Sequence, residues 1–233
     1  MPSVIENIKQ WDSYDWSRRG DEWSDPWGSA EMQWAITVLP RIEKSLRKSP
    51  HVLEIGPGMG RWTAKLQPYC RKLDVVDVSQ KALDGIRHRM GLSSLHIGFN
   101  LGDGRTLPVA SDSINFVFSF DSLVHADADV LDAYLMECAR VLHKQHGTGF
   151  IHHSNCQGRY WRGTSTADSV LAGCEKAGLH CYVQEITPWV HEQDILLDCF
   201  TSFGIAPRGP SVRVTTDLLK EANHAKRLAQ LYR

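Results

Sequence analysis

The stretch "VLEIGPGMGRWT", residues 52–63, sets a single carboxylate, Glu54, near the end of an apolar run and follows it with Gly56, Gly58 and Gly60. A run of this kind predicts a buried strand. The glycines predict a tight turn whose bare backbone lies close against a ligand. Asp77 ends the next apolar run, "KLDVVDV", about twenty residues on, where a carboxylate can accept both hydroxyls of a ribose. A dinucleotide fingerprint, G-x-G-x-x-G, needs glycine where Arg61 stands. Glu54 would also repel a pyrophosphate and suits a positive charge instead. Together the residues describe an adenosine nucleoside that carries a cation rather than a phosphate.

A second constellation lies further on. "FDSLVHAD" places Asp121 and His125 four apart, and "FIHHSN" supplies His152 and His153. On a helix, Asp121 and His125 would share a face. On a strand, His152 and His153 point opposite ways, so one of them faces the site. An Asp/His/His cluster is either a general base with an orienting carboxylate or a set of metal ligands. Mg²⁺ prefers all-oxygen ligands, and this donor set fits it poorly.

These residues need elements to hold them. "HVLEI", "KLDVVDV", "LHIGF", "INFVFSF" and "TGFIH" read as strands. Helical stretches run between most of them: 59–68, then Ser79 to Met90, then 128–143. Thr166 is placed to cap a helix through Ala177, and "LHCYVQEIT" and "ILLDCFTSF" read as two closing strands. Such alternation predicts an α/β chain with a doubly wound, mostly parallel sheet and an antiparallel C-terminal hairpin. Ligands then sit past the carboxyl ends of the strands. There the sequence places Glu54 with its glycines, Asp77 and Val78, Asp103 and Gly104, Phe120 to Ser122, and His152 to Asn155.

"VLEIGPGMG", "LDVVDVS", "LGDGRTLP" and "INFVFSFDSLVH" together resemble a class I S-adenosylmethionine-dependent methyltransferase over about residues 50–155. The resemblance implies a Rossmann-like fold with S-adenosylmethionine as cofactor. It implies that Glu54, Gly56 and Gly58 frame the methionine part and that Asp77 takes the ribose, with Val78 beside it. Asp103 and Gly104 would border the adenine, and Phe120 and Ser122 would lie under the sulfonium. "EWSDPWG", "FSFDSLVHAD" and "FIHHSN" are similar to bacterial sugar O-methyltransferases of the methylmannose polysaccharide type. That implies a sugar or oligosaccharide hydroxyl as acceptor and a base drawn from His125, His152 and His153, oriented by Asp121. Some O-methyltransferases of this fold use a divalent cation, so a Mg²⁺ requirement stays open.

The remaining sequence bounds this reading. The chain has 233 residues, 42% of them hydrophobic, and a net charge of −1. Neither nucleic acid nor an acidic membrane is drawn by such a charge. Asp/Asn-Pro-Pro-aromatic, the usual signature of amino-directed nucleic-acid methyltransferases, is missing after the fourth strand. The six cysteines form no C-x-x-C pair and read as reduced thiols, and the first residues do not read as a signal peptide, so a cytoplasmic protein is expected. Residues 1–48 form a Trp-rich lid and a helix opened by Ser29 and kinked at Pro40, with Trp27, Gly28 and Gln33 facing the cofactor. Packing of the first helix onto the sheet is the alternative role for those tryptophans. Trp161 and Arg162 offer a second patch for sugar rings. Residues 49–203 form the cofactor-binding core, and 204–233 a C-terminal loop and helix that packs on the sheet or joins a homo-oligomer. Competing functions are a natural-product O- or N-methyltransferase on a small molecule, a catalytically silent cofactor-binding partner, and a nicotinamide-dependent reductase. Arg61 and the missing Tyr–Lys pair weigh against the last.

Overall fold

The computed structural model describes residues 4–47, 50–159, 161–190 and 195–231. Its centre is an eight-stranded sheet: β1 (His51–Ile55), β2 (Lys72–Asp77), β3 (Ile97–Leu101), β4 (Phe116–Ser119), β5 (Thr148–Ser154), β6 (His180–Thr187), β7 (Asp198–Gly204) and β8 (Val212–Thr215). The strand order is β3-β2-β1-β4-β5-β7-β6-β8. The first five strands are parallel, whereas β7 runs antiparallel to both β5 and β6. This is the expected Rossmann-like, doubly wound sheet with its antiparallel closing hairpin. The chain reverses its winding between β1 and β4, and a crevice opens there at the strand ends.

Alternation along each strand builds two core layers. Val52, Phe116, Phe118 and Phe150 pack on one face with Trp34, Ile42 and Leu83. Leu53, Ile55, Val117 and Ile151 pack on the other with Leu131, Leu135 and Val170. The covering helices are α1 (Val4–Ser13), α2 (Ala30–Gln33), α3 (Leu39–Leu46), α4 (Thr63–Leu66), α5 (Gln80–Met90), α6 (Ala128–Val141), α7 (Ala167–Lys176) and α8 (Leu218–Leu231). Ser79 and Thr166 cap α5 and α7 as expected, each hydroxyl accepting a backbone N–H three residues on.

The helix expected over 29–48 differs in detail. Ser29 does cap it, but the run is split by a π-turn over Trp34–Val38, which ends where Leu39 N–H reaches back to Trp34 O. Pro40 follows at once and has no N–H to continue the regular ladder. The tail also differs, since residues 212–215 form β8 beside β6 instead of the start of a helix. Its Val212 and Val214 are exposed, so no buried alternation marks the strand in sequence.

The N- and C-terminal segments pack against each other. Leu218, Ala222 and Ala225 of α8 join the same core layer as Trp27 and Trp34. Arg41 on α3 bridges Glu185 of β6 (2.8 Å) and Glu221 of α8 (2.7 Å), with side chains only 11–22% exposed. Breaking such a bridge strands two half-buried carboxylates. Arg41→Ala is therefore expected to destabilise the protein by about 2–3 kcal/mol. Urea unfolding monitored by circular dichroism checks this, and an unchanged midpoint would count against the bridge.

Candidate functional site

A cavity of about 420 Å³ lies at the reversal point, past the ends of β1, β2 and β4. Its floor is the glycine turn. Gly56 and Gly58 adopt φ +65° and +54°, in the left-handed region that disfavours other residues. A Cβ on Gly56 would lie 1.8 Å from Ser122 Oγ, so the turn and the β4 end touch where only glycine fits. Asp77 receives the N–H of Gly58 (3.1 Å) and of Ser79 (2.9 Å) and also lines the cavity. Burial pushes its carboxyl up to about 6, although the two backbone donors oppose the shift. Val78, Gly104, Phe120, Asp121 and Ser122 complete this wall.

Five expected cofactor contacts, Asp103, Trp27, Gly28, Gln33 and Glu54, lie outside the lining. Asp103 is exposed and spends its carboxylate on Arg105 N–H (2.8 Å), Thr106 N–H (2.6 Å) and Thr106 Oγ1 (2.9 Å). It shapes the turn that presents Gly104. Trp27 is fully buried, with Nε1 donating to Thr37 Oγ1 (2.8 Å) and its ring against Trp189. Gln33 accepts from Ser24 Oγ (2.7 Å) behind the cavity wall. Gly28 likewise stays outside the lining, because its segment turns inward to the core. The roof is instead made by Trp11, Trp16 and Trp23, whose rings pack at 5.6–6.1 Å in pairs, with Trp16 Nε1 donating to Trp11 O (2.7 Å).

Glu54 is 1% exposed and sits beneath the turn, outside the lining, where it accepts from Thr63 Oγ1 (2.6 Å). Burial pushes its carboxyl up to about 8; the Thr63 bond and Arg61 oppose this, and Asp77 adds to it. The folded protein therefore holds a proton on Glu54 that the unfolded chain releases above the ordinary carboxylate range. Its contribution to stability is full below about pH 4.5 and is lost as pH rises through about 8. Asp77, also raised, acts in the same direction. The expected result is a melting temperature that falls between pH 5 and 9 without added ligand and falls less in Glu54→Gln. Identical profiles for both proteins would refute a neutral Glu54.

The acid/histidine group is only partly assembled. Asp121, at φ +60°, pairs with Arg61 Nη2 on one oxygen and lies 3.1 Å from His152 Nδ1 on the other. Burial favours its neutral form, but Arg61 and His152 outweigh burial and hold it down to about 2. His152 is fully buried behind Phe120, between Asp121 and Asp198, outside both cavities described here. Burial opposes its charge, but the two carboxylates prevail and raise its pKa. Asp121 N–H also lies 3.3 Å from Nδ1, but the carboxylate is the partner of a protonated ring. Nε2 faces Asp198 Oδ2 at 3.3 Å without hydrogen-bond alignment.

His153 points to the opposite face of the sheet, as strand geometry requires. There its ring meets Ser154 O and Thr201 Oγ1, both at 2.8 Å, and burial pulls it down to about 4. Neither strand histidine is placed to touch a ligand. His125 is. The segment Leu123–His125 is one 3₁₀ turn rather than an α-helix, so Asp121 and His125 do not share a helix face. His125 Nδ1 lies 2.7 Å from Trp161 O, and its ring packs on Trp11. Burial pulls its pKa down to about 4 against the pull of that carbonyl. A carbonyl only accepts, so Nδ1 bears the proton and Nε2 keeps its lone pair.

Around His125 the first cavity meets a second, of about 470 Å³, lined by Glu6, Asn7, Gln10, Trp11, His125, Gly158 and Trp161. Trp161 is 75% exposed. Arg162, expected to accompany it, turns inward to Asp198. Among the described residues no group of three or more His, Cys, Asp or Glu is placed to hold a metal ion. The described residues also include no helix long and apolar enough to cross a membrane. All six cysteines are free thiols.

Residues that sequence reasoning did not assign are Arg61, Trp11, Trp16 and Asp198. Arg61 stood out only as a missing glycine, and Asp198 only as one acid in an apolar strand.

Residues 52–145 match the family model Methyltransf_25, described as a methyltransferase domain. The chain is 34% identical over 102 residues to nodulation protein S of Sinorhizobium fredii, a match covering 42% of this chain and 47% of that protein. It thus spans about half the length of this curated relative. Among solved structures it resembles PH0226 of Pyrococcus horikoshii (TM-score 0.63, 18% identity, 82% of this chain and 98% of that one). It also resembles geranyl diphosphate C-methyltransferase of Streptomyces coelicolor, solved with Mg²⁺, geranyl diphosphate and S-adenosyl-L-homocysteine (TM-score 0.65, 11% identity, 88% and 98%). The sheet order, the glycine turn and the family match agree, and residues 52–145 are a methyltransferase domain of the class I, S-adenosylmethionine-dependent kind.

Proposed function

We propose that this protein is an O-methyltransferase that methylates a hydroxyl of a sugar or oligosaccharide, with His125 as the general base. The observation that carries this reading is the position of His125. It stands where the cavity holding the glycine turn joins the cavity between Trp11 and Trp161.

The residues present fit the cofactor. A cavity of about 420 Å³ with mixed apolar and polar walls is of ligand size. Gly56 and Gly58 let backbone approach the methionine part, and Asp77 accepts the ribose hydroxyls. Val78 and Gly104 flank the adenine, and Phe120 and Ser122 border the sulfonium end. Arg61, in the same wall, is a cation for the cofactor's carboxylate. When bound, S-adenosylmethionine supplies a methyl group already activated for displacement. The protein's part is to align the acceptor oxygen in line and remove its proton. His125 Nε2, with its lone pair free, takes that proton. The indole faces of Trp11 and Trp161 suit the apolar face of a sugar ring, and Asn7 and Gln10 suit its hydroxyls. His152, from behind, pairs with Asp121 in the wall and fixes it.

A second reading, a small-molecule O- or N-methyltransferase, is favoured by the low basicity of His125. An amine with a free lone pair needs no base. A radiolabelled methyl-transfer screen across monosaccharides, mannosides and longer oligosaccharides, with and without chelator, tests the proposal. Label in a saccharide supports it, and loss of labelling under chelation would move the activation of the hydroxyl from His125 to a metal. Label only in phenols or amines moves the assignment to the second reading.

A further inference from the structure

From the wall of the cofactor cavity inward runs a continuous line of buried charge: Arg61, Asp121, His152, Asp198 and Arg162. The first two line the cofactor cavity. At the far end, Arg162 closes a two-pronged bond on Asp198, from Nε to Oδ1 at 2.7 Å and from Nη2 to Oδ2 at 2.9 Å. Asp198 has no exposed surface. A buried ion pair is weak evidence for stability, since an apolar pair of similar volume often does as well. Its use is then to be sought in what it orients.

The neighbour of Arg162 supplies the answer. Trp161 sits at φ +62°, a costly conformation for a bulky residue that persists only where its surroundings impose it. Its own indole cannot impose it, being 75% exposed. The main chain on either side does. Arg162 N–H reaches Arg159 O (2.9 Å), and Gly163 N–H reaches Val124 O (2.7 Å). Gly163 is seated so closely that a Cβ would fall 1.8 Å from Ala126 O. The loop is therefore clasped to the turn that carries His125, and the Trp161 carbonyl is aimed at His125 Nδ1, 2.7 Å away.

We propose that Arg162, anchored by Asp198, is a positioning residue for methyl transfer: it holds residues 161–163 so that the Trp161 carbonyl decides which nitrogen of His125 carries the proton. With Nδ1 committed to that carbonyl, Nε2 is left as the lone pair toward the acceptor. The proposal rests on His125 being the base. It adds that the base is set through Arg162 and Asp198, the first residue of β7, neither of which lines the two cavities. Carbonyl or carboxylate partners that fix a histidine tautomer are a general device.

Nitrogen-15 spectra of histidine-labelled protein at pH 7.5 test it without any acceptor. The His125 signals are identified by their absence in His125→Gln. In the wild type, Nε2 is expected at the shift of a bare nitrogen and Nδ1 at that of a protonated one. In Arg162→Ala the proton is expected to be shared between the two nitrogens, with S-adenosylhomocysteine affinity within threefold of wild type. Arg162→Lys, which keeps the charge but loses the second prong, is expected to lie between. A proton on Nε2 in the wild type overturns the proposal, and that spectrum needs no variant. So does a wild-type pattern retained in both Arg162 variants. The saccharide reading fails in a different experiment, the acceptor screen, which leaves these spectra unaffected.

Discussion

Replacing His125 with alanine is expected to lower methyl transfer by about 10²- to 10⁴-fold, the usual contribution of a positioned base. The affinity for S-adenosylhomocysteine should change less than threefold, because His125 touches the cofactor cavity only at its junction with the second. His125 stays neutral down to about pH 4, so the wild-type rate should show no loss from its protonation between pH 6 and 8. His152→Ala differs in kind. It removes a cation from between Asp121 and Asp198 and should lower the melting temperature as well as the rate, since two buried carboxylates lose a partner. Wild-type turnover in His125→Ala, measured with any accepted substrate, would end its assignment as the base.

Asp77→Ala should produce the second large effect, a loss of cofactor affinity of at least about 100-fold. Hydrogen bonds to a charged group contribute about 1.5–3 kcal/mol each, and two ribose hydroxyls share this carboxylate in the proposed complex. The same side chain receives Gly58 N–H and Ser79 N–H, so the variant also loosens the turn. Burial lifts the Asp77 carboxyl to about 6. The ionised form is the better acceptor for ribose, so wild-type affinity should rise as pH increases through about 6, and Asp77→Ala should lack that rise. Calorimetric titration with S-adenosylhomocysteine reads both. An affinity that survives the substitution would mean that the ribose lies elsewhere.

The elements that could be read from the sequence were those with strong local chemistry. Ser79 and Thr166 each head an apolar-periodic run, and both cap helices. The strands β1, β2 and β4 carry mostly apolar residues on both faces, as buried parallel strands do. Site residues were legible where their position followed from the end of a strand: Gly56, Gly58, Asp77, Val78, Gly104 and Ser122 all line the cavity. Long-range packing decided the rest. Nothing local distinguishes Trp27, which sinks into the core, from Trp11, Trp16 and Trp23, which roof the cavity. His152 and His125 are equally plausible bases in sequence, and only the depth of β5 in the sheet removes the first. Glu54 lies at a strand end as expected, but Thr63 draws it under the turn rather than toward the ligand.

The placement of β7 has a consequence for how the protein comes into being. This strand lies between β5 and β6, although both precede it in the chain. Until residues 198–204 leave the ribosome, β5 and β6 have no common neighbour, and the nascent sheet stands open beside His152. Asp198 and Phe200, which enclose that ring, arrive on the same late strand. Synthesis must therefore pass about six-sevenths of the chain before the charged line that leads inward from the cofactor cavity can close, a fraction set by where the intervening strand falls in the sequence.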